Sequence, residues 1–175
     1  LPYTLYSQAV LNIKYRHPLS KTKRSPSALV LPYAPIGSTG VSSVSTLRNT
    51  SSKFEGLASN KLTYTFSEAN GEAIYVADDV AAIQGNSKST FGLHVSADYS
   101  FNTLYAKWAV EGDIQYTKIC DLDYAGWLYQ EVDMSTLPAG VDYQFMGFGL
   151  VRQSSFLSGK GEVSVDALRV EFKPS

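Results

Sequence analysis

The segment Trp127-Leu128-Tyr129-Gln130-Glu131-Val132-Asp133-Met134 carries two kinds of side chain in alternation. In an extended strand Trp127, Tyr129, Glu131 and Asp133 share one face, and Leu128, Gln130, Val132 and Met134 share the other. The first face joins aromatic rings to carboxylates. Rings stack on apolar C–H faces and carboxylates accept hydrogen bonds from hydroxyls, which together is the chemistry of saccharide recognition. Trp127 would equally serve as a cap on the core at the strand entrance and Tyr129 as an ordinary amphipathic residue, and the alternation does not choose. In Thr103–Val110, Leu104, Ala106, Trp108 and Val110 form the more apolar face and are assigned to the core. Tyr105 and Lys107 then point outward, where they could meet a ligand. Tyr99, Phe101 and Tyr124 fall in turns at strand ends, where loop aromatics are further candidate contacts.

Catalytic patterns are poor by comparison. Asp78-Asp79, Asp121 with Asp123, and Glu131 with Asp133 are paired acids, but hydrolysis of a glycosidic bond needs two carboxylates facing each other across about 5–10 Å of cleft. Neighbours in sequence rarely meet that geometry. His17 and His94 are the only histidines, and they show neither metal-ligand spacing nor a Ser/His/Asp grouping. Cys120, the single cysteine, follows Ile119 in an apolar-alternating run and is read as a small buried hydrophobe. No disulfide within the chain is possible. The chain is therefore not expected to be an enzyme.

Positioning these residues requires strands. Residues 61–66 alternate with period two, Asn70-Gly71 is a tight-turn signal, and 73–77 reads as a returning strand, so a hairpin is expected there. Further strands are expected at 91–97, 103–110, 114–119, 127–134, 145–151 and 162–172, with Glu111-Gly112-Asp113 turning the chain between two of them. No amphipathic helix is found. Eight or nine strands at roughly ten-residue spacing predict an all-β fold, a two-sheet antiparallel β-sandwich of the jelly-roll kind.

Residues 1–46 differ from the rest. Pro2, Pro18, Pro26, Pro32 and Pro35 lie there among dense Ser and Thr, the first acidic residue of the chain is Glu55, and five cations fall between Lys14 and Arg24. This stretch is expected to be a basic linker or edge-strand segment leading into a domain at 47–175. The overall net charge of −1 offers no global attraction to nucleic acid. No apolar run reaches transmembrane length, so no membrane insertion is expected. Because the chain begins at Leu1 and shows no leader, it is expected to be a processed chain or a fragment, tethered to other domains.

Four stretches carry a family likeness: 91–100 (FGLHVSADYS), Leu104-Tyr105-Ala106-Lys107-Trp108, 122–134 (LDYAGWLYQEVDM) and 161–168 (GEVSVDAL). Their order resembles jelly-roll carbohydrate-binding-like modules attached to bacterial surface and secreted proteins, among them phosphodiester glycosidases. The likeness covers about residues 47–172. It implies a β-sandwich, a secreted or cell-surface setting (extracellular or periplasmic), and a polysaccharide or glycan partner. It also implies a structural calcium ion near Asp166, with Glu55 as a second ligand if the first and last strands are neighbours. Against the calcium stands a plainer role for Asp166, a bulge carboxylate bonded to backbone amides. The function expected is a non-catalytic glycan-binding module. The alternative is a structural or protein-interaction sandwich without a sugar site, in which outward aromatics would be scattered rather than gathered.

Overall fold

The computed structural model describes residues 12–17, 20–24, 33–34, 37–54, 58–77, 84–132, 134–153 and 159–172. They form the strands Asn12–His17 (β1), Ser20–Arg24 (β2), Tyr33–Ala34 (β3), Val41–Asn49 (β4), Ser59–Phe66 (β5), Glu72–Ala77 (β6) and Gln84–Asn86 (β7). Thr90–Asp98 (β8), Thr103–Val110 (β9), Asp113–Asp121 (β10), Ala125–Val132 (β11), Asp142–Val151 (β12) and Lys160–Phe172 (β13) complete the set. A single 3₁₀ turn, Met134–Thr136, is the one helical element among the described residues. Every strand pairing is antiparallel.

The strands make two sheets. In the first, β4, β5, β13, β8 and β11 lie side by side, and the β1–β2 hairpin joins the C-terminal part of β13. In the second the order is β10-β9-β12-β6-β3, with β7 also on β12. The fold is thus the expected two-sheet antiparallel sandwich. β4 spans position 46 and pairs with β5 along its length. β13 pairs with β5 through Lys160–Val165 and with β2 through Arg169–Phe172. Between them the register slips at Asp166–Arg169 and Ala167 takes φ 53°, so a bulge hands the strand from one neighbour to the other.

One expectation fails. Residues 61–66 and 73–77 do not form a hairpin, because β5 belongs to the first sheet and β6 to the second. The Asn70-Gly71 turn instead carries the chain across the sandwich. The place of a partner strand is taken by the segment before β4: Thr39 and Glu72 exchange backbone hydrogen bonds of 3.0 and 2.8 Å, and Ser67 N–H donates to the Gly40 carbonyl at 2.9 Å. Gly71 sits so close to Gly40 that any Cβ there would overlap the Gly40 carbonyl.

The turn at Glu111-Gly112 does make a hairpin. Both residues are left-handed (φ 50° and 87°), as a two-residue loop matched to strand twist requires, and Gly112 supplies one of them without strain. The short loop fixes the pairing Val110↔Asp113 and hence Ala109↔Ile114, Lys107↔Tyr116 and Tyr105↔Lys118.

Between the sheets lies one core. Leu62, Tyr64, Phe91, Leu93, Val95 and Val163 enter from the first sheet; Tyr75, Leu104, Ala106, Trp108, Tyr143, Phe145 and Phe148 enter from the second. Trp108 is fully buried, with its ring centroid 5.0 Å from Phe91 and 5.6 Å from Phe145. Its indole N–H donates to Thr117 Oγ1 at 2.9 Å. Cys120 is buried as expected, and burial raises its thiol pKa to about 11.

The substitution Thr117→Val keeps the shape of this contact and removes the acceptor. The buried indole N–H is then left without a partner, and urea denaturation should show a loss of about 1–3 kcal/mol.

Candidate functional site

The outer face of the second sheet follows from its register. Thr103, Tyr105, Lys107 and Ala109 of β9 point away from the core, flanked by Ile114, Tyr116 and Lys118 of β10 and by Gly147 and Gly149 of β12. Tyr105 and Lys107 therefore stand on the outside, half-buried among their neighbours. Tyr116 belongs to the row of Lys107, yet its ring reaches Gly149 two strands away: a Cβ on Gly149 would lie 3.6 Å from Tyr116 Cε1 and 3.3 Å from Ile74 Cδ1. Two strand spacings are about 10 Å, so the tyrosine must lie along the sheet rather than stand up from it. Glycine at 149 gives it room. The ring rests with one side on the sheet while the residue stays 42% exposed. Burial, and then the charge of Glu72, raise its hydroxyl pKa.

Toward the start of β9 this face becomes polar. Thr103 Oγ1 donates to Asp121 Oδ1 at 3.0 Å and accepts from Gln153 Nε2 at 3.1 Å. Lys118 Nζ forms an ion pair with Asp121 Oδ2 at 2.9 Å. That contact raises the lysine pKa and lowers the aspartate pKa, and both groups are exposed.

Beyond β9 stands the 98–102 loop. Tyr99 and Phe101 are 60% and 46% exposed and both are left-handed, with φ 57° and 63°. Such backbone is unfavourable for residues with a Cβ and persists only where the surroundings enforce it. The enforcement is visible. Tyr99 N–H donates to Tyr124 O and Phe101 N–H to Leu122 O, each at 2.9 Å. Ser100, between them, is buried over a polar network: Tyr64 Oη donates to Asp98 Oδ2 at 2.6 Å, and Asn102 Nδ2 donates to Tyr64 Oη at 3.1 Å. Burial and the Asp98 carboxylate raise the Tyr64 pKa. The two rings above meet edge to face at 5.1 Å.

Trp127, Tyr129 and Glu131 share an outward face, as their alternation predicts, but on the other sheet. They pair with Ser96, His94 and Gly92 of β8. Phe54 stacks on His94 with 3.4 Å between centroids, Tyr129 lies 5.2 Å from His94, and Trp127 lies 6.4 Å from Phe54. Tyr129 crosses over Gly92, where a Cβ would overlap its hydroxyl. That hydroxyl donates to Glu131 Oε2 at 3.2 Å and accepts from Arg169 Nη2 at 3.3 Å, while the guanidinium lies 5.4 Å from the ring centroid. The Tyr129 hydroxyl is thus satisfied within the cluster, whereas the buried His94 Nδ1 has no hydrogen-bond partner among the described residues.

Tyr124 lies on neither face. It is half-buried and donates to Val95 O at 3.1 Å while accepting from Gln130 Nε2 at 3.2 Å. The seven residues expected to bind ligand therefore separate: Tyr105 and Lys107 on one face, Trp127, Tyr129 and Glu131 on the opposite one, Tyr99 at the end and Tyr124 along the edge. Stacked sheets are about 10 Å apart, so one ligand cannot touch both faces.

At the bulge, the buried Asp166 carboxylate accepts from Phe54 N–H at 3.0 Å through Oδ2 and from Ala167 N–H at 2.8 Å through Oδ1. Glu55 lies outside the described residues, as do Asp78, Asp79 and Asp133. Among the described residues no group of three or more His, Cys, Asp or Glu is gathered for a metal ion. Both oxygens of Asp166 accept from N–H groups, and its expected partner Glu55 is not among the described residues.

No family model and no curated protein sequence matches the chain. Solved structures do. Carbohydrate-binding modules of the β-sandwich superfamily, described for their promiscuous specificity, align with a TM-score of 0.51 at 11% identity, over 91% of this chain and 74% of theirs. The family 30 carbohydrate-binding module of a cellulosomal cellulase from Clostridium thermocellum aligns with a TM-score of 0.52 at 4% identity, over 83% of this chain and 92% of that one. What is shared is the two-sheet antiparallel β-sandwich. The glycoside hydrolase domain structure of Endo-D from Streptococcus pneumoniae R6 also aligns, with a TM-score of 0.60 at 11% identity, over 82% of this chain but only 22% of that one. At these identities the likeness is one of fold.

Sequence reasoning missed Tyr116, Gly149 and Ile74 on the second sheet, and Phe54, His94 and Arg169 on the first. For Tyr116 the signal was present: a two-residue turn at Glu111-Gly112 places it beside Lys107.

The stacked cluster gives a pH signature. Burial first, and then Arg169, lower the His94 pKa to about 4 from an ordinary 6.5. The folded chain then binds fewer protons than the unfolded chain between those values, so this contribution to stability is complete above pH 6.5 and lost as pH falls toward 4. Thermal melts across this range should show a smaller decline for His94→Phe than for the wild type.

Proposed function

We propose that the chain is a non-catalytic glycan-binding module whose ligand lies on the outer face of the second sheet. One observation carries the reading: Tyr116 lies along the sheet over Gly149 and keeps the residue 42% exposed. A ring held flat meets a pyranose C–H face without first losing side-chain freedom, and that preorganisation favours binding. Tyr105 and Lys107 flank it, and the exposed Lys118, Asp121 and Gln153, held together over the buried Thr103, add donors and acceptors for hydroxyls. The fold likeness to carbohydrate-binding modules supports the same class of ligand. A shallow, open face gives modest affinity, in the micromolar to millimolar range of about −8 to −4 kcal/mol. The secreted or surface setting belongs to this proposal and follows from where such polymers are found.

Affinity electrophoresis through plant, mucin and microbial polysaccharides, followed by titration calorimetry, tests it. Tyr116→Ala should weaken binding at least tenfold, about 1.4 kcal/mol, with an unchanged melting curve. Gly149→Val should do the same, because its side chain occupies the place of the ring. Wild-type affinity that survives both substitutions would move the site off this face. A folded protein retained by no polysaccharide would favour the structural or protein-interaction sandwich instead.

A further inference from the structure

We infer that the ligand is a linear saccharide chain that runs along β9, from the Tyr116 platform to the ring corner formed by Tyr99 and Phe101. This rests on the glycan-binding reading and extends it from a face to a length and a direction.

The argument begins with the corner. Two aromatic residues are held in left-handed backbone, Tyr99 60% and Phe101 46% exposed, both unfavourable for a folded chain. Neither ring closes the core. What lies beneath is elaborate: the hydrogen bonds of Tyr99 and Phe101 to the 122–124 backbone, and the Tyr64–Asp98–Asn102 network under Ser100. That support holds the corner in one conformation, as a ligand contact needs.

Position links the corner to the platform. Phe101 precedes Thr103, the first residue of β9, by two places, and Thr103 pairs with Asp121, the last residue of β10. The corner therefore stands at the end of the strands that carry Tyr105, Lys107 and Tyr116. From the Lys107–Tyr116 row to Thr103 is four residues of strand, about 13 Å, and Phe101 lies two residues beyond in the loop. Between the two lies the polar group of Lys118, Asp121, Thr103 and Gln153. Rings at both ends and hydrogen-bonding groups between them match a chain of several sugar units. A single sugar or a disaccharide would meet one end only.

The test uses linear oligosaccharide ladders, from disaccharide to hexasaccharide, cut from cellulose, xylan, mannan and β-1,3-glucan. Calorimetry on the wild type should show affinity rising about tenfold or more along the ladder that binds. Phe101→Asn and Tyr99→Asn should abolish that gain and leave disaccharide affinity unchanged. Both rings are exposed, and Asn tolerates left-handed backbone, so the melting temperature should hold or rise. Tyr116→Ala should weaken every length alike. Flat affinity along the ladder, or loop variants that bind the hexasaccharide as the wild type does, would overturn the inference while leaving the Tyr116 face intact. A wild type that binds none of the ladders would overturn the inference, whereas the Tyr116 reading falls only if the whole polysaccharide panel is silent.

Discussion

The second sheet depends on where Trp108 points. Its ring fills the space between the sheets and its N–H finds Thr117, so neither β9 nor β10 can slip by one residue. A one-residue slip would turn a buried tryptophan into water and bring Lys107 inward, a reversal worth many kcal/mol when truncating one buried large aromatic to Ala alone costs about 3–5. Once Trp108 is inside, Tyr105 and Lys107 are outside, and the Glu111-Gly112 turn brings Tyr116 beside them. The candidate site is in this sense the reverse side of the core.

Two tyrosines lie down over glycines, with different consequences. Over Gly92, Tyr129 finds Glu131 and Arg169 for its hydroxyl and the guanidinium near its ring, and it neighbours a histidine pinned by Phe54. Its hydroxyl is held within the molecule, although the residue itself stays 38% exposed. Tyr116 lies over Gly149, where a Cβ would meet both its ring and Ile74, and the residue stays 42% exposed. The same local device builds structure on one face and offers a surface on the opposite one. The decision lies in the residues that the neighbouring strands bring alongside.

What the sequence disclosed follows the range of each signal. Period-two alternation is local, so β8, β9, β10 and β13 were legible, as were the inward set of Trp108 and the outward pair Tyr105 and Lys107. The parity of Trp127, Tyr129 and Glu131 was legible too. Which sheet they join is not a local property, and neither is the separation of these residues from Tyr105. Asn70-Gly71 shows the limit most clearly. The dipeptide turns the chain whether or not the strands on either side pair, and the outcome here was decided by Gly40 and Thr39, some thirty residues earlier. Asp166 was readable as a bulge carboxylate because a charge in an apolar strand must be hydrogen-bonded, and it is.

The 98–102 loop shows why position along the chain and position in space carry different information. Its composition, aromatic residues among Asp, Ser and Asn, reads as an ordinary turn. Nothing in it announces left-handed backbone at two non-glycine residues, because the forces that impose it come from elsewhere: Tyr64 on β5, and the 122–124 backbone that follows β10. A buried phenol with a carboxylate on one side and an amide on the other is itself costly unless every group is paired. The chain maintains that network directly beneath two rings it could have replaced by glycine. Their edge-to-face contact steadies the loop, and the proposed glycan contact would use the orientation that the network beneath fixes.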